Sequence, residues 1–151
     1  MKIRKATKKD IEKLKELMYK TDERMKYLKN KDIMKYLIAK DRAILIAEYK
    51  DALIGYIGLK RYEKDTEIKK IDFNNSAAIM WIGVSKEYRK KGVGKRLMFA
   101  SEKYAKKFKK QYIYLDCSRN LIKFYEKIGY IIVSKYRQNR KIKFVMVKKL
   151  K

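Results

Sequence analysis

Arg89-Lys90-Lys91-Gly92-Val93-Gly94 decides how this chain is read. The apolar run Ile79-Met80-Trp81-Ile82-Gly83-Val84 precedes it, and a segment of helical periodicity, Val93 to Lys107, follows. A strand therefore feeds a glycine-bearing loop that opens a helix. The first turn of a helix has backbone N–H groups without partners in the helix, and the macrodipole adds partial positive charge there. Glycine lets the backbone approach an anion closely and take positive φ. The arrangement is a place to hold phosphate.

Working outward, Ser76 to Val84 is almost wholly apolar, as a central strand covered on both faces would be. In the helix, Val93, Leu97, Ala100, Tyr104 and Phe108 are spaced to face a core. Lys2 to Ala6 reads as a short strand. Thr7 caps the next helix, with Asp10 completing a capping-box-like start ahead of Ile11, Leu14, Leu17 and Met18. A second helix is expected over Asn30 to Ala39. Ala43 to Tyr49 and Ala52 to Leu59 form a hairpin through Lys50-Asp51. Arg61 to Asn75 is polar, with Glu63, Asp65, Glu67 and Asp72, and reads as a loop or frayed strand ends. Tyr112 to Leu115 is a strand, Leu121 to Lys127 a short helix ended by Gly129, and Tyr130–Lys135 with Lys143–Val147 an antiparallel pair. One α/β domain with a mixed sheet, spanning 1–151, is expected.

The loop lacks Gly-x-x-x-x-Gly-Lys-Ser/Thr and Gly-x-Gly-x-x-Gly, which excludes a Walker site and the dinucleotide fingerprint. The chain has no histidine, which excludes a histidine-based triad and most zinc sites; no metal is expected. Its single cysteine excludes an internal disulfide framework. No apolar run approaches the roughly 20 residues of a membrane span, and the start has no signal-peptide core, so a cytoplasmic protein is expected. The net charge of +26 is uneven: residues 88–151 hold 21 basic and 3 acidic residues, and residues 1–87 hold 22 and 14. That suits an anionic ligand, with nucleic acid or an acidic protein as larger alternatives, while an A/T-rich genome would also enrich lysine.

Arg89-x-x-Gly92-x-Gly94 resembles the Gln/Arg-x-x-Gly-x-Gly/Ala signature of the GNAT superfamily of acetyl-CoA-dependent N-acetyltransferases. Phe124-Tyr125-Glu126-Lys127-Ile128-Gly129-Tyr130 resembles its second signature, and Ile3 to Asp10 its common opening. The resemblance covers nearly the whole chain. It implies an α+β fold with a mostly antiparallel central sheet flanked by helices. It also implies acetyl-CoA as cosubstrate and an amine as acceptor. By it, backbone N–H groups from Arg89 through Lys90, Lys91, Gly92, Val93 and Gly94 to Lys95 cradle the CoA pyrophosphate, with Arg96 among the assisting cations. Main-chain groups of Ile82, Gly83 and Val84 would pair with the pantetheine arm.

The resemblance makes Tyr125 the acid that protonates departing CoA thiolate. Many members have an asparagine seven residues before that tyrosine; here the position is Ser118, and Asn120, two residues on, is preferred as the cofactor contact. The strand Ser76–Val84 has no acid, so the general base stays open among Glu67, Asp72, Asp116 and a water relay. Cys117 is expected to be a packing residue, and Trp81 core or pocket wall. The resemblance puts the acceptor cleft over Thr21 to Leu37 and Tyr130 to Lys143, where Tyr19, Tyr27, Tyr36, Tyr136 and Arg137 could line it. Repulsion of polyamines by the overall charge favours an amine on a neutral or anionic carrier. A non-catalytic acyl-CoA sensor and a basic nucleic-acid or ribosome-associated module remain as alternatives. Monomer and homodimer are equally open.

Overall fold

The computed structural model describes residues 1–61 and 71–151. Its strands are β1 (Lys2–Lys5), β2 (Arg42–Tyr49), β3 (Ala52–Lys60), β4 (Ser76–Val84), β5 (Tyr112–Cys117), β6 (Ile131–Gln138) and β7 (Lys141–Lys149). Its helices are α1 (Ile11–Thr21), α2 (Asn30–Ile38), α3 (Val93–Lys107) and α4 (Ile122–Lys127). The strand order is β1-β2-β3-β4-β5-β7-β6. β4 and β5 pair in parallel, whereas β1–β2, β2–β3, β5–β7 and β6–β7 are antiparallel. This is the α+β arrangement the sequence predicts. Among the described residues, no helix is long and apolar enough to cross a membrane.

By contacts the chain divides into two compact units, Met1–Lys60 with Met80–Lys103, and Arg61–Ile79 with Tyr104–Lys151. β4 and α3 each run through both.

In the first unit, α1 and α2 bury an apolar stripe on the sheet. Leu14, Met18, Ile33, Ile44 and Ile46 are fully buried there. Each such side chain contributes about 1.5–3 kcal/mol relative to exposure. The start of α1 follows the expected capping logic. The Thr7 N–H donates to Asp10 Oδ2 at 2.8 Å. Asp10 does more than cap, because Arg4 donates to both of its carboxylate oxygens (2.9 and 2.8 Å) and to Glu48 Oε1 (2.6 Å). That network ties β1, the helix start and β2. The β2–β3 hairpin turns at Lys50 and Asp51 with φ of 49° and 61°, the mirror-image turn that suits strand twist.

In the second unit, β5, β7 and β6 form successive antiparallel ladders, and β6–β7 turns at Asn139-Arg140 with φ of 49° and 65°. A 3₁₀ turn at Arg119–Leu121 leads into α4, which begins one residue later than the expected Leu121–Lys127 helix. Its end matches the sequence: Gly129 has φ +100°, its N–H reaches Glu126 O, and Tyr130 N–H reaches Tyr125 O. That is a Schellman ending, which needs a left-handed residue.

β4 differs from expectation along its length. Ser76–Ile79 are buried, but Met80–Val84 are only half-buried rather than covered on both faces. The parallel pairing with β5 extends over Ser76–Ala78 and ends there.

Candidate active site

The end of β4 leads through a 3₁₀ turn at Lys86–Tyr88 into the glycine loop. Arg89 is extended, Lys90 has φ +61° and Gly92 φ +84°, and Gly92 O accepts the Arg96 N–H at 3.1 Å as α3 begins. Left-handed residues two apart turn successive amides toward one side, which makes an anion nest. Among the described residues, the N–H groups of Lys90 through Lys95 have no acceptor. A Cβ built on Gly92 would meet nothing within 4 Å, so the space beside it is open. Val93 is buried and anchors the helix start, while Lys90, Lys91, Lys95 and Arg96 are exposed.

The side chains are less free than the sequence suggests. Arg89 Nε donates to Val84 O at 3.0 Å, tying the loop back to the strand. Lys91 Nζ lies 5.6 Å from the Tyr88 ring centre and Lys95 Nζ 5.8 Å from that of Phe99. In the first unit the loop and Ile82-Gly83-Val84 are thus one continuous wall.

Glycines shape that wall. A Cβ on Gly83 would lie 2.5 Å from Tyr56 Cε1, and a Cβ on Gly58 2.7 Å from Trp81 Cε3. β3 and β4 therefore interlock aromatic on glycine twice. A Cβ on Gly55 would fall 3.0 Å from Leu97 and 3.1 Å from Val93, so this glycine lets α3 approach. Tyr56 is 1 % exposed, its hydroxyl is 3.0 Å from Thr21 Oγ1, and burial raises its pKa. Sequence reasoning missed Tyr56; the Gly55-x-x-Gly58 spacing in a strand was the available signal. Tyr36 stacks on Trp81 with ring centres 4.3 Å apart, which makes Trp81 pocket wall or core.

Of the other residues expected at the acceptor cleft in this unit, Tyr36 is buried, Tyr19 donates to Leu28 O at 3.1 Å, and Tyr27 is 87 % exposed. A cavity of about 440 Å³ lies beside α1 and the β2–β3 turn, lined by Lys13, Glu16, Lys20, Asp51, Ser85 and Glu87.

In the second unit, Tyr125 is 4 % exposed and packs edge-on against Phe124 and Tyr130. Its hydroxyl has no hydrogen-bond partner among the described residues. Burial, with Cys117 and Asp116 adding to it, pushes the Tyr125 phenol far above its ordinary value, so it holds its proton at neutral pH. Cys117 is buried, its Sγ 3.7 Å from Met146 Sδ, and burial with the nearby Asp116 pushes its thiol up to about 11. It stays a thiol and suits packing, as expected. Ser118 Oγ donates to Asn120 Oδ1 at 2.6 Å, so the two rival cofactor contacts are bonded to each other.

Of the candidate bases, Asp116 accepts the Tyr136 hydroxyl, and Asp72 is exposed and accepts from Asn75 Nδ2 at 2.8 Å. Glu67 lies outside the described residues, as do Glu63 and Asp65 of the expected loop. Arg137 is exposed on β6.

A sequence model of the acetyltransferase (GNAT) family matches residues 9–130. No curated protein matches the sequence. Solved structures show the same fold. An aminoglycoside 6'-N-acetyltransferase from Enterococcus faecium superimposes with a TM-score of 0.79 at 19% identity, covering 99% of this chain and 97% of that one. The PaiA N-acetyltransferase of Thermoplasma acidophilum, crystallised with coenzyme A, gives 0.78 at 24% identity over 98% of both chains. A structure of an aminoglycoside 6'-N-acetyltransferase complexed with coenzyme A gives 0.80 at 19% identity, covering 99% and 97%.

Proposed function

The chain belongs to the acetyltransferase (GNAT) family, and from that premise we propose that residues 1–151 act as one N-acetyltransferase domain, carrying acetyl from acetyl-CoA to a primary amine. The observation that carries this reading is the run of amides from Lys90 to Lys95, without acceptors and opening α3 beside an open glycine. A diphosphate accepts from several such amides at once, and the helix dipole adds to their attraction. Lys90, Lys91, Lys95 and Arg96 add charge, while Arg89 braces the loop. The half-buried segment Ile82-Gly83-Val84 offers main-chain groups to an extended pantetheine arm, as an added strand would be held. Asn120, positioned by Ser118, is the further cofactor contact.

In the transfer, the amine nitrogen bonds to the thioester carbonyl carbon and the C–S bond breaks. The sulfur takes the proton of Tyr125, and the nitrogen loses one to water. Tyr125 then recovers a proton from solvent. A phenol that keeps its proton at neutral pH is available as that donor. The acceptor amine sits on a neutral or anionic carrier, because the charge of +26 repels polyamines.

The test is a panel of small amines, amino acids, antibiotics and peptide N-termini with acetyl-CoA, read by thiol release. Turnover of at least one acceptor is expected. Tyr125→Phe should lower kcat about 10²-fold with the KM for acetyl-CoA little changed. An unchanged kcat removes Tyr125 from the chemistry. Heat stabilisation by acetyl-CoA without turnover of any acceptor favours the acyl-CoA sensor, and efficient use of spermidine with anionic acceptors inactive overturns the charge argument.

A further inference from the structure

Within the second unit, the stretch from Tyr104 to Lys151 concentrates cations with little to balance them. Residues 104–151 hold 15 basic and 2 acidic residues. Of the two acids, Asp116 accepts the Tyr136 hydroxyl. Arg119, Lys135, Arg137 and Arg140 are exposed and take part in no salt bridge among the described residues.

The ladders sort these groups by face. Lys135 lies opposite Phe144 and Arg137 opposite Ile142, while Phe144 also lies opposite Cys117. Residues directly opposite in an antiparallel pair share a face. So Lys135, Arg137, Phe144 and Ile142 stand together, with the Arg119 guanidinium 5.0 Å from the Phe144 ring centre. Tyr136, Lys143, Val145 and Asp116 occupy the opposite face. The nearby carboxylate is therefore on the wrong side of the sheet to neutralise the row. Lys135 and Arg137 sit two residues apart along β6, about 7 Å, and Arg140 extends the row at the turn.

A row of like charges without acids repels itself, and only a repeating anion engages all of it. A single phosphate or carboxylate would meet one or two of these groups. The row also has planar and apolar surface within it, namely the exposed Arg119 guanidinium, which lies over the buried Phe144 ring, and exposed Ile142. Bases stack on such surfaces, and carboxylates of an acidic protein offer nothing to stack.

We propose that this face of the β6–β7 hairpin, carrying Arg119, Lys135, Arg137 and Arg140, binds single-stranded nucleic acid. The phosphates lie along the cations and a base lies against the Arg119 guanidinium and Ile142. The site stands independently of acetyl transfer, and its test contains no acetyl-CoA.

The experiment measures anisotropy of a labelled single-stranded RNA of about 16 nucleotides, the upper site size of a small single-strand binder, across a salt series. The wild-type protein should bind. Arg119→Ala with Lys135→Ala and Arg137→Ala should weaken binding at least tenfold. It should also reduce the slope of log K against log salt by about 2, the loss of three phosphate contacts. Lys8→Ala with Lys9→Ala and Lys13→Ala, removing equal charge from the first unit, should change binding less than threefold. Equal weakening by both triple variants overturns the proposal in favour of net charge alone. Polyglutamate binding as tightly as the RNA overturns it in favour of an acidic protein, and absence of wild-type binding at about 50 mM salt overturns it outright. Circular dichroism and a thermal melt, measured separately, report that each variant is folded. If the triple variant does not fold, Arg137→Glu and Lys135→Glu singly must each weaken binding, and failure to do so is equally fatal.

Discussion

Gly83 has no side chain because Tyr56 occupies the space one would need. Its Cβ would lie 2.5 to 2.6 Å from three atoms of a ring that is 1 % exposed and tied to Thr21. Gly83→Ala should therefore destabilise the protein by about 1–3 kcal/mol, read by urea denaturation. In a Tyr56→Ala background, where the ring is gone, most of that cost should vanish. Additive costs would show that the glycine serves another purpose. Single residues differ in how openly the sequence declares them. Tyr125 and Gly92 stand in recognisable local patterns, and the structure gives the first a buried, protonated phenol and the second a left-handed turn. The roles of Tyr56 and Gly58 exist only across a strand pair, between residues more than twenty apart in sequence, so the glycine spacing in β3 signals a close approach but no window of sequence contains the partners.

Among elements, β4 and α3 begin and end where apolar patterning placed them, at Ser76–Val84 and Val93–Lys107. Periodicity reports such elements because burial of one face or both sets the pattern. Turns are legible when their residues are, and here one was found against preference. Lys50 and Asp51 are both left-handed, which costs a residue with a Cβ roughly 1 kcal/mol. Asp51→Gly should stabilise the hairpin by about that amount and raise Tm by about 2–4 °C in a thermal melt; no rise would mean that the aspartate side chain offsets the strain.

The start of α1 carries a second prediction at this scale. Hydrogen bonding from Arg4 lowers Asp10 from 3.8 to about 2, and Arg4 lowers Glu48 as well. A carboxylate lowered in the folded state contributes stability that is complete above its unfolded value. It is lost as pH falls from about 4 to about 2. The loss is about 2 kcal/mol at a side chain only 9% exposed. Asp10→Asn should cost a similar amount at pH 7 and flatten the acid limb of the stability curve. An unchanged acid limb would sink the assignment. The sequence shows Asp10 as a cap; only the folded chain brings Arg4 and Glu48 to it.

At the scale of the whole molecule, charge is the dominant fact. At +26 the chain repels itself, and salt shortens the reach of that repulsion from about 10 Å at 0.1 M to about 3 Å at 1 M. Tm should rise with sodium chloride over this range, and a flat or falling Tm would mean that specific ion pairs outweigh the net charge. The amino-acid sequence by itself determined the order of the elements, the strand–loop–helix with its glycines, and the family, because each is written in local spacing and in residue types that local backbone geometry requires. It also determined the excess of positive charge. Only the tertiary structure decided where that charge stands, through ladder registers that put Lys135 and Arg137 on one face and Asp116 on the other. Only it revealed the aromatic–glycine interlocks behind Gly83 and the ties of Arg4 and Arg89. These depend on which distant residues meet, and that is settled by the joint burial of apolar faces rather than by any single segment.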